Sequence, residues 1–542
     1  MNTLQIGSRI IGDGHPAYMI AEMSGNHAGS IERAKEIIHA AAEAGADCIK
    51  IQTYTPDTLT IDCSNKYFAI TEGTWKGENL YSLYGKAYTP LEWQEELFAE
   101  ARKTGIDFFS TPFDNATCDF LENMGVDFYK IASFEMIDLK FLKHVASKGK
   151  PMIVSTGMGT YEEMKEALNA IYETGNTQVA FLKCSSAYPA LSSQMNLRTI
   201  PDMKDKFGIP IGLSDHSMGS LGAVAAVSLG ANIIEKHFCL SREIENPDAS
   251  FSMTPEEYRK MVDDVRDVEA ALGEVSYSMT PQEESNMVFR RSLFAVKDIE
   301  AGESFTEENI RSIRPGYGAK PKYIDDFLTM KAAAPVKRGE PLNFELVEKG
   351  KVLFLTNNSN TDDFYEKLIK KCPGAVRFTN RLTAEIVNAL KPSFVISFNY
   401  KYIVSEDVLN LLEGKIINLH TSFLPYNKGA SPNFFALYDG TPSGVTIHTM
   451  SAGLDKGDIL LQKEIKFDKS KETFASTYNK LIEEMTNLFF ENADALLTGQ
   501  VKGTPQIPGE GTYHSSKDLK AIRGEHDFTW DENVEEVLKR IK

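Results

Sequence analysis

The sequence of 542 residues predicts a multidomain α/β protein: a (β/α)8 TIM barrel, then a small β-rich domain, then a doubly wound, Rossmann-like α/β domain. Three observations predict this order. Eight short apolar runs alternate with amphipathic segments in residues 18–272, the alternation stops at 273–290, and a second series of apolar runs begins near Lys351. The chain is also longer than one ordinary domain.

The first part of the chain carries eight candidate strands, the number that closes a parallel barrel. They are residues 18–23, 48–52, 107–112, 128–132, 151–156, 179–184, 210–214 and 233–238. Helical patterns separate them, for example at 30–44, 161–174 and 255–272. The long, aromatic-rich connection at 53–91 is predicted to be a lid, a dimer contact or both. We therefore predict a barrel domain over residues 1–277.

Three further segments follow the barrel. Residues 278–290 lose the periodic pattern and are predicted to be a linker. Residues 291–349 combine short apolar runs with turn signals, which predicts a small β-rich domain. Residues 351–542 start with strand patterns at 352–356, 375–378, 394–398 and 416–420, which indicate an open sheet. Asn357–Asn360 follows the first of these strands in place of a glycine-rich turn, so no dinucleotide is expected.

The bulk composition excludes several classes of protein. The formal net charge of −18 argues against binding to nucleic acid or to an anionic membrane. The six cysteines are scattered without a paired motif, so we expect reduced thiols. The N-terminus has no signal-peptide pattern and no run is long enough for a membrane span, so a cytoplasmic location is expected.

Polar residues gather at the predicted strand ends of the barrel, where this fold places its chemistry. His216 and His237 end two neighbouring strands, and two neutral imidazoles can hold a divalent metal. Two lysines with several hydroxyls are suited to bind a phosphate group. The strand-end lysines and hydroxyls include Lys50, Thr111, Lys130, Ser133, Ser155 and Ser214. One such residue is usually structural, but so many on one face are hard to explain by packing.

Several motifs in the first 349 residues resemble the sialic acid synthase family. They lie at 21–27, 130–133, 155–158, 212–216 and 235–238. Ala-Glu-Met-Ser-Gly-Asn-His at 21–27, with Gly-Thr-Trp-Lys-Gly at 73–77, most resembles the pseudaminic acid synthases. In this family the C-terminal module resembles type III antifreeze protein (the SAF domain), which fits residues 291–349.

The resemblance implies a reaction in which phosphoenolpyruvate condenses with the aldehyde of an open-chain amino sugar and phosphate is released. For pseudaminic acid synthases the sugar is a 2,4-diacetamido-2,4,6-trideoxy-altrose. The resemblance implies that His216 and His237 bind Mn²⁺ or Mg²⁺, with His237 also catalytic. Phosphoenolpyruvate would be held by Lys50, Thr111, Lys130, Ser133, Ser155 and Ser214.

The resemblance also implies how the sugar is bound. Its contacts would be Glu22, Gln52, Ser186, Tyr188 and Asp248, with Glu22 and Glu135 as catalytic groups and Glu135 moving protons. Arg314 of the SAF domain would reach the sugar of the other subunit in a domain-swapped homodimer. Sialic acid synthases commonly have Asn where this chain has Ser186.

A second constellation lies in the last domain. Asn418 and His420 end a predicted strand, and Asp455 follows in Gly-Leu-Asp-Lys-Gly-Asp. Acyl transfer to an amine needs a group that polarises the carbonyl, a base and a carboxylate that orients the base, and these three residues supply them in that order. Residues 394–465 and 509–514 resemble formyltransferases that act on amino sugars and use 10-formyltetrahydrofolate.

The sequence therefore predicts a bifunctional enzyme that makes an N-formylated nonulosonate. Four alternatives remain open: an N-acetylneuraminate or legionaminate synthase, a C-terminal domain that only binds its ligand, a Schiff-base aldolase, and a non-enzymatic protein that senses carbohydrate.

Overall fold

The computed structural model describes residues 3–7, 9–72 and 75–542. The chain divides into two compact units, Met1–Ser276 and Tyr277–Lys542. Gly73 and Thr74 of the predicted 73–77 motif lie outside the described residues.

The first unit is a closed barrel of eight parallel strands, which confirms the predicted fold. A short antiparallel hairpin of β1 (Thr3–Ile6) and β2 (Arg9–Gly12) precedes it and was not predicted. The barrel strands β3 to β10 are Tyr18–Glu22, Cys48–Thr53, Asp107–Pro112, Tyr129–Ile131, Met152–Ser155, Val179–Cys184, Ile211–Asp215 and Ile233–His237. Strand β10 closes on β3 with His237 opposite Glu22, so the two side chains arise at the same level of the rim.

Amphipathic helices cover the barrel and bury their apolar stripes against it. Capping boxes start several of them, as at Thr160 and Thr254, where the side chain accepts from the amide three residues on. The helices are Ile31–Glu43, Pro56–Leu59, Leu80–Ala87, Leu91–Thr104, Asn115–Met124, Leu139–Ala146, Tyr161–Tyr172, Thr199–Phe207, Leu221–Ser228 and Pro255–Leu272. The long connection after β4 therefore carries two short helices that periodicity did not predict.

The second unit begins with a small module. It contains a short helix, Pro281–Ser285, within the predicted linker, and an antiparallel pair of β11 (Ser292–Ala295) and β12 (Ile310–Ile313). Isolated bridges such as that between Ile299 and Val336 complete its β structure, and a helical turn spans Ile324–Phe327.

The rest of the second unit is a six-stranded sheet in the order β14-β13-β15-β16-β18-β19. Its strands are β13 (Val352–Leu355), β14 (Val376–Phe378), β15 (Phe394–Phe398), β16 (Ile416–His420), β18 (Gly444–Thr449) and β19 (Ile459–Glu464). The four earlier strands are parallel, whereas β18 and β19 are antiparallel and were not predicted as strands. Two short strands, β17 (Lys428–Gly429) and β20 (Tyr513–His514), form a separate pair.

Helices pack on both faces of this sheet, as expected for a doubly wound fold. They are Asp362–Lys371, Ala384–Leu390, Glu406–Leu411, Pro432–Asp439, Phe474–Glu491, Ala493–Leu497, Ser516–Glu525 and Val534–Ile541. Throughout the described residues, no helix has both the length and the apolar character needed to cross a membrane.

Candidate active sites

A cluster of buried charges lies at the carboxyl end of the barrel. Lys50 Nζ is 2.8 Å from Glu22 Oε2 and 3.1 Å from Glu235 Oε1. Lys130 Nζ lies 3.6 Å from the same Glu235 oxygen and donates to Ser155 Oγ at 2.7 Å. Since buried charges are costly unless paired, four of them at one rim indicate a binding site for a charged ligand.

The charge state of this cluster follows from its surroundings. Burial lowers the pKa of Lys50 to about 7. The ammonium groups of Lys130 and Lys50 hold the pKa of Glu235 well below its usual range despite burial. Two hydroxyls are also present: Ser214 Oγ donates to Glu235 Oε1 at 3.1 Å, and Thr111 Oγ1 is buried without a partner in the described part of the chain. The cluster therefore combines ammonium and hydroxyl groups, as a phosphate site requires.

Ser133 and Ser186 come together beside this cluster, with their Oγ atoms 3.3 Å apart. Gly157, two residues after the end of β7, has a φ of 46°. A Cβ at this position would lie 2.4 Å from Ser133 Cβ and 2.9 Å from Ser186 Oγ. Only glycine leaves room for both hydroxyls, which explains the Ser-Thr-Gly sequence at this strand end.

The two predicted metal ligands lie side by side. The ring centroids of His216 and His237 are 5.5 Å apart. His216 Nδ1 is 3.0 Å from the Ser185 carbonyl oxygen, so this nitrogen donates and Nε2 keeps its lone pair. His237 is half-buried, and its buried Nδ1 lacks a hydrogen-bond partner among the residues that the structure describes. Burial lowers the pKa of both imidazoles, which keeps them neutral, the form that binds metal.

Aromatic side chains form a wall next to the histidines. The Tyr188 ring centroid is 4.3 Å from that of His216 and 5.3 Å from that of Phe251. Trp75 adds a third ring, 5.6 Å from Tyr188, and its Nε1 donates to the Pro247 carbonyl at 3.0 Å. This bond ties the long connection to the segment after β10. Phe251 was not predicted from the sequence as a site residue.

Two further predicted sugar contacts, Gln52 and Asp248, form hydrogen bonds with residues at or just after the end of β3. Gln52 Nε2 donates to Glu22 Oε1 at 3.1 Å, and Asp248 Oδ2 accepts from Gly25 N at 3.0 Å. Glu135 is half-buried, its buried Oε2 has no partner in the described chain, and desolvation raises its pKa to about 7. Arg314 belongs to the second unit, where it is exposed on the loop after β12.

The second site lies at the end of β16. Asp455 is the centre of its polar network: Oδ2 accepts from Gly429 N at 2.9 Å and is 3.7 Å from His420 Nε2. Its Oδ1 accepts from Asn418 Nδ2 at 3.3 Å and is 3.5 Å from His448 Nε2. The two imidazoles and the Gly429 amide hold the pKa of Asp455 well below its usual range, whereas burial lowers that of His420. The three predicted residues thus share one network.

This network opens into a cavity of about 820 Å³. Asn418, His420 and Asp455 line it together with Tyr400, Phe434 and Trp530. Burial within aromatic walls and a few polar groups is typical of a small-molecule site.

Three parts of the chain match known protein families. Residues 37–277 match the NeuB family, 290–348 the SAF domain, and 357–492 the formyl transferases. The chain is 46 % identical to pseudaminic acid synthase from Campylobacter jejuni over 325 residues, which cover 60 % of this chain and 95 % of that protein. The chain belongs to the NeuB family. The corresponding Helicobacter pylori synthase is 41 % identical over 335 residues, 62 % of this chain and 98 % of that protein.

This NeuB-family enzyme thus also carries an SAF domain and a formyltransferase domain, and the latter implies a folate-type cofactor. Among solved structures, a formyltransferase from Anoxybacillus kamchatkensis in complex with UDP-4,6-dideoxy-4-formamido-L-AltNAc and tetrahydrofolate is 31 % identical, covers 36 % of this chain and 100 % of that one, and gives a TM-score of 0.32.

Four site residues of this NeuB-family enzyme were not predicted from the sequence: Phe251, Glu235, His448 and Trp530. Glu235 lies in the predicted strand 233–238, but the pattern there gives no sign that both lysines of the cluster contact it. Only the antiparallel pairing of β16 with β18 shows that His448 lies opposite Asn418. Trp530, far along the chain, reaches the cavity wall. The Gly-Val-Thr-Ile-His alternation at 444–448 was the available signal for β18.

Proposed function

We propose that the first unit is a pseudaminic acid synthase, which condenses phosphoenolpyruvate with 2,4-diacetamido-2,4,6-trideoxy-altrose. The observation that carries this proposal is the pairing of the Lys50–Lys130 cluster with the His216–His237 pair at one rim of the barrel. The lysine cluster suits the phosphate of an enol phosphate, and a metal ion held by the histidine pair suits a carbonyl oxygen. The relatives named as pseudaminic acid synthases support the choice of sugar.

In this proposal the phosphate group contacts the ammonium groups and hydroxyls of the cluster. The contacts are Lys50, Thr111, Lys130, Ser133, Ser155 and Ser214. The C3 carbon of phosphoenolpyruvate then bonds to the aldehyde carbon, water adds to C2, and the C2–O bond to phosphate breaks. The sugar is held by Glu22, Gln52, Ser186, Tyr188 and Asp248.

A divalent ion, Mn²⁺ or Mg²⁺, fits the histidine pair. The centroid separation of 5.5 Å allows both rings to share one ion, given metal–nitrogen bonds of about 2 Å. The buried, unpartnered Nδ1 of His237 and the oriented ring of His216 support the same conclusion. When bound, such an ion supplies Lewis-acid polarisation of the aldehyde oxygen.

Glu135 is proposed as the base that takes the proton of the attacking water, because it lies half-buried near Lys130 and its pKa is about 7. Below this pH the carboxyl is neutral and cannot accept a proton. We therefore expect ionisation of Glu135 to raise kcat/KM for condensation as the pH rises through about 7, while loss of the Lys50 ammonium, whose pKa is also about 7, limits this rise at higher pH. Glu135→Gln should abolish this rise and lower kcat by about 10²- to 10⁴-fold. Phosphate release measured on both sides of pH 7 checks this.

Glu162→Gln, at an exposed position on the helix after β7, is the matched control and should keep the wild-type pH profile. A Glu135→Gln enzyme that retains the rise near neutral pH would assign the base to another group.

We propose that the second unit transfers a formyl group from 10-formyltetrahydrofolate to an amino-sugar nitrogen. His420 takes the amine proton, and Asp455 stabilises the resulting imidazolium. The Asn418 amide nitrogen lies 3.2 Å from His448 Nε2 and donates to Asp455 Oδ1 at 3.3 Å. The formyl oxygen replaces one of these weak contacts when substrate binds.

Arg314 is proposed to complete the sugar site of a second copy in a domain-swapped homodimer, and its exposed position on the loop supports this. Mixing inactive Arg314→Ala chains with inactive His237→Ala chains tests it. Each mixed dimer would hold one intact site, so recovered activity is expected. No recovery on mixing would contradict the domain swap.

Two assays test the proposed activities. Phosphate release from phosphoenolpyruvate, with a panel of amino sugars, should be greatest with the diacetamido-altrose and should fall on chelation. A legionaminate or neuraminate precursor used in preference would favour the alternative synthases, and a lysine adduct trapped by borohydride would favour an aldolase. For the second unit, mass spectrometry should find one added formyl group on a free-amine substrate, and His420→Ala should abolish it.

A further inference from the structure

The SAF domain and the formyltransferase domain share one apolar core within the second unit. Phe327 and Phe344 of the SAF domain stack with centroids 5.0 Å apart, and Phe344 lies 6.2 Å from Phe378 at the end of β14. Tyr323 stacks on the same Phe378 at 6.2 Å. Buried residues of both domains form a single continuous cluster. The SAF domain is therefore packed directly on the formyltransferase sheet.

A fully buried carboxylate lies at this interface. Asp326, on the SAF domain, has no exposed surface. Its Oδ1 accepts from Thr379 N at 2.6 Å and from Thr379 Oγ1 at 3.1 Å, and its Oδ2 accepts from Asn380 Nδ2 at 2.8 Å. All three donors belong to the turn after β14, so the SAF carboxylate fixes the conformation of a formyltransferase turn.

The same turn holds one wall of the formyltransferase cavity. Tyr400, which lines the cavity, donates its hydroxyl proton to the Asn380 carbonyl at 2.6 Å and accepts from Leu382 N at 2.9 Å. A second connection runs through Asn357, whose Nδ2 donates to the Thr379 carbonyl. Its Oδ1 accepts from the amide of Lys401, another cavity residue, at 3.0 Å.

We propose that Asp326 is a positioning residue for formyl transfer: through the turn at 379–382 it fixes the Tyr400–Lys401 wall of the cavity that also contains Asn418, His420 and Asp455. The inference rests on the proposed function of the second unit. It makes the SAF domain a structural part of the formyltransferase site.

Kinetics of the full chain test the proposal. Asp326→Asn keeps the shape but places an amide donor opposite donors of the turn. We expect the KM for at least one formyl-transfer substrate to rise about tenfold, with kcat within about twofold, because the wall orients substrate without moving a proton. Asp325→Asn, its exposed neighbour on the same turn of helix, should change neither constant. An unchanged KM, or a parallel loss of kcat, would overturn the proposal.

A double-mutant cycle with Tyr400→Phe separates positioning from general destabilisation. This variant removes the hydroxyl that joins Asn380 to Leu382 and keeps the ring. If Asp326 acts through Tyr400, the fold-increase in KM of the double variant should be well below the product of the fold-increases of the two single variants. Independent, multiplicative effects would show that Asp326 does not act through this wall.

Hydrogen exchange supplies a readout that needs no activity. In Asp326→Asn the amides of Leu382 and Lys401 should exchange at least about tenfold faster, while strand β18 keeps its rate. Unchanged exchange at both amides would refute the positioning role. Formyl transfer absent from the wild type would instead refute the proposed function and leave this test valid. If Asp326→Asn yields too little folded chain, the kinetic and exchange measurements can be made on Asn380→Ala, which removes the amide that contacts Asp326.

Discussion

Replacing His237 by alanine should lower the rate of phosphate release from phosphoenolpyruvate on the order of 10³-fold, while formyl transfer by the same chain is unchanged. The His237 ring lies 5.5 Å from that of His216, which is already oriented by Ser185. Losing one of two protein nitrogens removes the fixed position of a cation beside the aldehyde. Steady-state phosphate release with saturating sugar and Mn²⁺ measures the effect.

The control for this prediction is His144→Ala. His144 lies on the helix after β6, where it bonds Asp119 away from the rim, so its removal should leave the rate unchanged. Titration of Mn²⁺ into the His237→Ala chain should also show weaker binding than in the wild type. A variant that keeps more than about a tenth of wild-type activity would contradict the assigned role of His237.

Much of the barrel site could be predicted because a parallel barrel converts order along the chain into position. Once eight strands are recognised, every strand end falls on one rim, and His216, His237, Lys50 and Lys130 must lie near each other. The same argument brought Asn418 and His420 to one sheet edge. Local pattern sufficed there because each residue directly ends a buried strand.

The site residues that the sequence did not predict depend on contacts between elements far apart in the chain. Glu235 becomes the partner of two lysines only when β10 lies between β9 and β3. His448 enters the second site through an antiparallel neighbour, which no parallel repeat predicts. In the sequence Asp326 is one of several polar residues in a helical turn, and it is buried only because the SAF domain packs on the sheet. Single-sequence patterns carry little information about such contacts between domains.

Asp455→Asn should lower kcat for formyl transfer about 10³- to 10⁴-fold, with phosphate release by the synthase unit unchanged. The carboxylate lies between two imidazoles and also accepts from the Gly429 amide. An amide in its place is neutral, so it cannot stabilise His420 once that ring takes the amine proton. It also puts an N–H group opposite either Gly429 N or Asn418 Nδ2, both of which are donors. Single-turnover transfer from 10-formyltetrahydrofolate to the amino sugar measures the loss.

The matched control is Asp458→Asn, three residues further along the same loop, where the side chain is exposed and outside the network. It should keep the wild-type kcat. The pH dependence distinguishes the role of charge from that of shape: the pKa of Asp455 is held so low that the wild-type residue stays ionised across the working range. The defect of Asp455→Asn should therefore be nearly constant with pH. A defect that disappears at low pH would mean that the wild-type carboxyl becomes protonated there, which would contradict an Asp455 held ionised by its two histidines and the Gly429 amide.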